Sequence, residues 1–417
     1  MEYGCIGEKL GHSFSKIIHN ELADYDYTLC EIAKSDLADF MLKADFKAIN
    51  VTIPYKESVI PYLYEIDDVA RKIGAVNTVV NKNCKLYGYN TDFLGMSSLI
   101  NRENISLCGK KVLILGSGGT SKTACAVAES MKASEIYVVS RKKSETNITY
   151  EEAYEKHFDA QIIINTTSCG MYPNTDKTAL DINCFEMCKA VIDAVYNPLN
   201  SLLVTNAKKQ GIKAVGGLYM LISQAAFAVE RFLDCKINIA AVDSIYKKLI
   251  LMKKNLVLVG MPSCGKTTIG KSIAEKLHKE FIDTDEEIVK KSGISIPEIF
   301  ENYGETHFRK IESEVIKEVS LKQNCVIATG GGAILNSKNI DFLKGNGTVL
   351  FIDRSLENLC CTDDRPLSNN IESLKKRFEE RYDLYNASAD IKINADFDIE
   401  TNIKLAEEGF LNEIFSS

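Results

Sequence analysis

The chain has thirteen cysteines but only five histidines, and they never gather at zinc-ligand spacing, so no zinc site is expected. The cysteines also lack a disulfide framework: Cys184 and Cys188 miss the C-x-x-C spacing, and Cys360 and Cys361 are adjacent. They read as reduced thiols of a cytosolic protein. No apolar run approaches the ~20 residues that a membrane-spanning helix needs. No basic-apolar leader precedes Tyr3-Gly4-Cys5. The expectation is therefore a soluble, cytoplasmic protein without a membrane partner. A net charge of −7 argues against nucleic acid as the main partner. Internal repeats and low-complexity stretches are lacking too.

What is present fits an ordinary globular chain, 45% hydrophobic and 26% charged, whose 417 residues suggest two to four domains. From Lys111 onward short apolar runs alternate with helical stretches: Val112–Leu115, Ile136–Val139, Gln161–Ile164, Val191–Asp193 and Lys213–Val215. The alternation recurs at Leu256–Val259, Glu280–Ile282, Cys325–Ala328, Thr348–Ile352 and Ile391–Ile393. This is the pattern of α/β domains with parallel sheets. Asp243–Lys254 looks helical and holds no Gly or Pro, so the blocks are joined by a short tether. Expected boundaries are 1–248 and 253–417. The first block divides into a substrate lobe (1–98 plus about 219–248) and a dinucleotide lobe (99–218).

Gly260-Met261-Pro262-Ser263-Cys264-Gly265-Lys266-Thr267 follows an apolar run and precedes a helical stretch. This is the context of a P-loop, whose backbone N–H groups cradle nucleotide phosphates. It assigns Gly260, Gly265, Lys266, Thr267 and Thr268 to ATP. Cys264 reads as a small packing residue, with an activated thiolate as the alternative. If extended geometry persists past Glu280–Ile282, Asp283 and Asp285 share a face, one supporting Mg²⁺ and one meeting a substrate hydroxyl. Further upstream, Gly116, Gly118 and Gly119 lie between a strand and a helix, as in a dinucleotide turn or an ordinary strand–helix turn. The next strand ends in Ser140-Arg141-Lys142-Lys143. A carboxylate there would select NAD, whereas Arg141 and Lys142 suit a 2′-phosphate, so NADP is expected; a solvated basic loop is the alternative.

Several further segments carry a family resemblance: Gly11-His12-Ser13-Phe14-Ser15-Lys16, Asn50-Val51-Thr52-Ile53-Pro54-Tyr55-Lys56, Ala75-Val76-Asn77-Thr78 and Tyr89-Asn90-Thr91-Asp92. With the glycine turn, Asn165–Met171, Asp193–Pro198 and Gly216–Ala225, they resemble shikimate dehydrogenase over about residues 1–245. The resemblance implies a two-lobed enzyme with a Rossmann-type NADP domain. It places Lys56 and Asp92 as the catalytic pair and Ser13 and Ser15 on the substrate carboxylate. Thr52, Asn77 and Gln224 would hold ring hydroxyls, and Gly217 would serve the cofactor. Two serines one residue apart can face one side of an extended segment. Tyr196 is either a substrate contact or a buried tyrosine satisfying the backbone. His12 packs, and Lys122 stands where the family turn often carries Arg.

A second set resembles shikimate kinase over 253–417: the P-loop, Asp283-Thr284-Asp285, Gly304-Glu305-Thr306-His307-Phe308-Arg309, Thr329-Gly330-Gly331-Gly332, Arg365-Pro366-Leu367 and Arg381-Tyr382-Asp383. That resemblance implies that Lys266 contacts the transferred phosphate, Thr267 and Asp283 hold Mg²⁺, and Asp285 takes the acceptor hydroxyl. Arg309 and Arg381 would fork onto the shikimate carboxylate. Gly330 and Gly331 would offer backbone N–H groups, and Arg365 would close from a lid, 361–370, that also carries Asp363 and Asp364. Together the resemblances imply a bifunctional enzyme using NADP(H), ATP and Mg²⁺. Its front half would reduce 3-dehydroshikimate and its back half would phosphorylate shikimate. Two rival readings remain: an ATP-sensing back half without transfer, and a front half that oxidises quinate or shikimate with NAD. A homodimer is left open.

Overall fold

The computed structural model describes residues 1–10, 14–359 and 371–415. Two compact units emerge: Met1–Met171 with Lys177–Tyr196 and Leu203–Tyr246, and Lys247–Ser417 with Tyr172–Asp176 and Asn197–Leu202.

The first unit holds two sheets. One contains β1 (Tyr3–Gly7), β2 (Tyr27–Glu31), β3 (Ala48–Val51), β4 (Glu65–Ile66), β5 (Thr78–Lys82) and β6 (Lys85–Tyr89), in the order β2-β1-β3-β5-β6-β4. It is mixed: β1 runs parallel to β2 and β3, while β5 is antiparallel to β3 and β6. The other contains β7 (Lys111–Leu115), β8 (Glu135–Val139), β9 (Asn147–Ile148), β10 (Ile162–Asn165), β11 (Ala190–Asp193) and β12 (Lys213–Val215), in the order β12-β11-β10-β7-β8-β9. Every pairing in it is parallel. The strand order reverses at β7 and β10, the arrangement of a Rossmann fold, whose crevice outside that switch point takes the ligand. Val112, Leu113, Ile114 and Leu115 are wholly buried, because strands covered on both faces have no polar side.

The second unit holds one parallel sheet of β13 (Asn255–Val259), β14 (Glu280–Asp283), β15 (Cys325–Ala328), β16 (Gly347–Asp353) and β17 (Ile391–Asn394), ordered β14-β15-β13-β16-β17. Its central strand β13 leads directly into the P-loop and the helix Lys266–Lys276. Among the described residues no helix is long and apolar enough to cross a membrane. Eleven cysteines are described, all as free thiols.

Two local expectations change. The chain is not extended past Asp283: the Asp283 side chain caps the helix Thr284–Ser292 by accepting from Asp285 N at 3.0 Å. Capping satisfies a helix-end N–H that a continued strand would have left open. Asp283 and Asp285 are therefore placed by a cap and a first helical turn, not by strand alternation. Ser15 likewise opens the helix Ser15–Leu22 instead of lying in an extended segment. Ser13 itself lies outside the described residues.

Candidate active sites

In the first unit, a cavity of about 400 Å³ is lined by Ser15, Asn50, Thr52, Lys56, Asn77, Asp92, Tyr196, Gly217 and Gln224, among others. β3 ends just before Thr52, and the turn beyond it carries Lys56. Asp92 sits in the first turn of the helix Thr91–Arg102, whose N-terminus Asn90 caps by accepting from Phe93 N. Lys56 Nζ donates to Asp92 Oδ2 at 2.5 Å, with side-chain exposures of 16% and 11%. Screening from water is slight there, so the carboxylate holds the ammonium strongly in orientation.

A polar network fixes the cavity's other wall. Asn77 Oδ1 accepts from Thr91 N at 2.7 Å, and Asn77 Nδ2 donates to Thr91 Oγ1 at 3.1 Å and Gln224 Oε1 at 3.5 Å. Asn50, absent from the expected site, is its hub: Tyr27 OH donates to its Oδ1 at 2.6 Å, and its Nδ2 donates to Thr78 Oγ1 at 3.2 Å. A buried amide between fixed partners has one orientation, so the network is rigid. Tyr196 reaches the same cavity, and burial pushes its hydroxyl pKa up. Thr52 is half-buried at the cavity wall.

The dinucleotide turn meets this cavity. Gly116 has φ +106°, a left-handed conformation that glycine adopts without strain, and a Cβ there would crowd Thr166 Oγ1 at 2.9 Å. A Cβ on Gly119 would stand 3.8 Å from Lys56 Cδ, so the start of the helix Gly119–Ser130 borders the Lys56 side-chain stem. Gly118 caps that helix and has open space where a Cβ would be; Gly217 precedes the helix Leu218–Leu233. Backbone open toward a helix N-terminus fits a pyrophosphate. Ser140 Oγ donates to Lys142 O at 2.5 Å, turning the chain sharply after β8. Arg141 and Lys142 are exposed, whereas Lys143 is paired with Glu152. Exposed cations at that strand end fit a 2′-phosphate. Lys122 pairs with Glu57 at 2.7 Å.

In the second unit, positive φ at Gly260, Ser263 and Gly265 (+152°, +65° and +102°) curls the P-loop around a cradle. Lys266, 7% exposed, donates from Nζ to Gly260 O at 2.9 Å and Met261 O at 2.8 Å. Thr267 Oγ1 donates to Asp283 Oδ2 at 3.0 Å. A hydroxyl and a carboxylate side by side are a hard-oxygen set that fits Mg²⁺ carried with phosphates, which needs few protein ligands. Among the described residues no group of three His, Cys, Asp or Glu is placed to hold a metal alone. Thr268 follows on the exposed side of the helix start. Cys264 is 1% exposed and belongs to the core, the packing role of the two alternatives.

The arginines converge on a residue that the sequence reading missed. Arg309 Nη1 donates to Glu312 Oε2 at 2.8 Å, while Glu312 Oε1 is buried without a hydrogen bond. Burial raises the Glu312 pKa, and both Arg309 and Arg381 pull it back down. A Cβ on Gly330 would meet Asp285 Oδ1 at 2.6 Å and Glu312 Oε1 at 3.1 Å, which ties Asp285 to the same cluster. Arg381 Nη1 and Tyr385 OH donate to Gly331 O, at 3.1 and 2.5 Å. The Gly330 N–H, expected to face substrate, instead donates to Thr284 Oγ1 at 3.0 Å. Glu312 follows Arg309 by three residues, an i,i+3 spacing that could have flagged it. Arg365, Asp363 and Asp364 lie outside the described residues.

Comparison with known proteins finds matches in both halves of the chain. Residues 262–409 match the family model "Shikimate kinase", and residues 5–79 match "Shikimate dehydrogenase substrate binding domain". The chain is 36% identical over 271 residues to a shikimate dehydrogenase (NADP(+)) of Clostridium perfringens, covering 59% of this chain and 97% of the relative. Among solved structures, shikimate dehydrogenase 1 of Peptoclostridium difficile is 35% identical with a TM-score of 0.56, covering 60% of this chain and 98% of its own. A chorismate mutase/shikimate 5-dehydrogenase fusion protein from Clostridium acetobutylicum is 36% identical with a TM-score of 0.57, covering 59% and 96%. The chain belongs to the shikimate dehydrogenase family and carries a shikimate kinase domain in the same polypeptide.

Proposed function

We propose that this chain performs two consecutive reactions, reducing 3-dehydroshikimate to shikimate and then phosphorylating shikimate at its 3-hydroxyl. The observation that carries the reading is the Lys56–Asp92 pair at 2.5 Å, lining a substrate-sized cavity beside the dinucleotide turn. NADPH supplies the hydride, ATP the phosphoryl group, and Mg²⁺ the charge that spans its phosphates. In the front half, Lys56 Nζ delivers a proton to the carbonyl oxygen as it becomes a hydroxyl, and Asp92 keeps the ammonium aimed. Ser15, with Ser13, holds the carboxylate; Thr52, Asn77, Tyr196 and Gln224 hold the ring. Gly116, Gly118, Gly119 and Gly217 admit the coenzyme backbone, and Ser140, Arg141 and Lys142 receive its 2′-phosphate. The substrate lobe is 1–98 with about 219–248, and the coenzyme lobe is 99–218.

In the back half, residues 253–417, Asp285 accepts the proton of the substrate hydroxyl. Gly260, Gly265, Lys266, Thr267 and Thr268 hold the phosphates, with Asp283 and Thr267 on the metal side. Arg309 and Arg381, with Gly331 between them, hold the carboxylate. Arg365 adds charge from the lid. The hydroxyl made at the first site is thus the one phosphorylated at the second. The Asp285, Arg309, Arg381 and Glu312 cluster weighs against an ATP sensor, which has no use for a carboxylate clamp. Exposed Arg141 and Lys142 weigh against an NAD-linked oxidiser. Reduced thiols, NADPH and ATP point to the cytoplasm.

Incubating the purified chain with 3-dehydroshikimate, NADPH, Mg²⁺ and ATP and weighing the products by mass spectrometry tests the proposal. Shikimate 3-phosphate is expected. Shikimate accumulating unphosphorylated would overturn the kinase half, and 3-dehydroshikimate left unreduced would overturn the front half.

A further inference from the structure

Every nitrogen of the Arg309 guanidinium is engaged. Nε and Nη2 both donate to Glu305 Oε1, at 3.3 and 3.0 Å, and Nη1 donates to Glu312 Oε2 at 2.8 Å. A substrate carboxylate needs one full edge of the guanidinium, two N–H groups side by side. Two carboxylates hold three of its five N–H groups, and they differ sharply in exposure. The Glu312 side chain is 1% exposed, so releasing it would strand a buried charge. The Glu305 side chain is 52% exposed, so water takes over its solvation as it leaves. The Nε–Nη2 edge is the one that exchanges.

We propose that Glu305 is an internal competitor for the substrate carboxylate: it occupies the Nε–Nη2 edge of Arg309, and shikimate displaces it while Glu312 keeps Nη1. This rests on the kinase reading above. The backbone is built for the exchange. Gly304, with φ +78° and ψ +172°, breaks the helix Ile296–Ser320 immediately before Glu305. The Glu305 carboxylate can therefore swing away without unwinding the turn that carries Arg309. Replacing one carboxylate by another leaves the charge around Arg309 and buried Glu312 unchanged. A substrate lacking the carboxylate would leave Glu305 in place and gain nothing from the clamp. Glu305 thus lowers affinity for acids and sets the concentration of shikimate at which the clamp fills.

The test uses the full chain and initial rates of ATP-dependent shikimate phosphorylation. Glu305→Gln and Glu305→Ala are expected to lower KM for shikimate about two- to fivefold with kcat unchanged, as suits an exposed pair. The difference from wild type should shrink at high salt, and Glu305→Asp should restore most of the wild-type KM. Dehydrogenase rates of the same preparations report that the variants are folded. A KM that is unchanged or raised, or a fall in kcat, overturns the competition and makes Glu305 a support that orients Arg309. A wild-type chain that fails to phosphorylate shikimate overturns the kinase reading itself, and the competition with it.

Discussion

The two sites hold their cations in opposite ways. In the front unit Lys56 is already paired with Asp92, the group proposed to aim it, and Asn77, Thr91 and Gln224 brace one another. In the back unit Lys266 is bonded to carbonyls of its own loop and Arg309 to Glu305, partners that a phosphate and a carboxylate would replace. A proton delivered to a developing oxyanion needs a donor fixed in advance, because reorganisation during the step would cost rate. A highly charged nucleotide can displace weak internal partners on arrival and use the exchange to close the site. The lesson is that a cation can be held beforehand either by the partner proposed to aim it or by groups that an incoming ligand would displace.

The largest effect that would sharpen this contrast is loss of either lysine. Lys56→Ala should cut dehydrogenase kcat by about 10²–10³ and leave kinase rates alone, and Lys266→Ala should do the converse. Coupled loss of both activities in either variant would break the comparison.

Acid should next separate the units by sign. His19 is wholly buried, stacked on Tyr27 at 3.8 Å, and burial lowers its pKa from 6.5 to about 3. Between those values the unfolded chain binds a proton that the folded unit refuses, so stability falls with falling pH. At about pH 5 the loss approaches ~2 kcal/mol. Glu312 runs the other way: its folded pKa is raised, so protonation favours the folded back unit just above the ordinary carboxylate range. Thermal unfolding followed from pH 7 to 5 should show the front transition dropping relative to the back one, and His19→Phe should remove most of the drop, His157, also lowered by burial, keeping the rest.

Coenzyme choice offers a smaller effect. Arg141→Ala should lower kcat/KM for NADPH about tenfold or somewhat more and leave NADH nearly unchanged, since only the 2′-phosphate is lost as a partner. Smallest of all, Cys264 should react with a thiol reagent far more slowly than exposed Cys84, Cys108, Cys184 and Cys235. Mass-resolved labelling of the folded chain reads this directly. Fast modification of Cys264 would show that the P-loop opens more readily than its packing implies.

Much of both folds was legible because central parallel strands are continuous apolar runs. Val112–Leu115 and Leu256–Val259 each fall within a strand, β7 and β13. The strands of the first sheet were not read, because half-exposed runs such as Tyr27–Glu31 mix polar and apolar residues without a clear period. Ser15 and the Asp283–Asp285 pair were read as extended, and both meet a helix start instead. A capping side chain looks the same in sequence whether the chain continues straight or turns.

The amino-acid sequence by itself determined the two α/β units, the dinucleotide turn and the P-loop, because each depends on local residue type and spacing. Tertiary structure alone decided that Asn50 is the hub of the polar network and that Glu312 sits buried beside Arg309 with Arg381 near it. Those roles come from which charges share a poorly solvated space, and that is set by how distant segments pack.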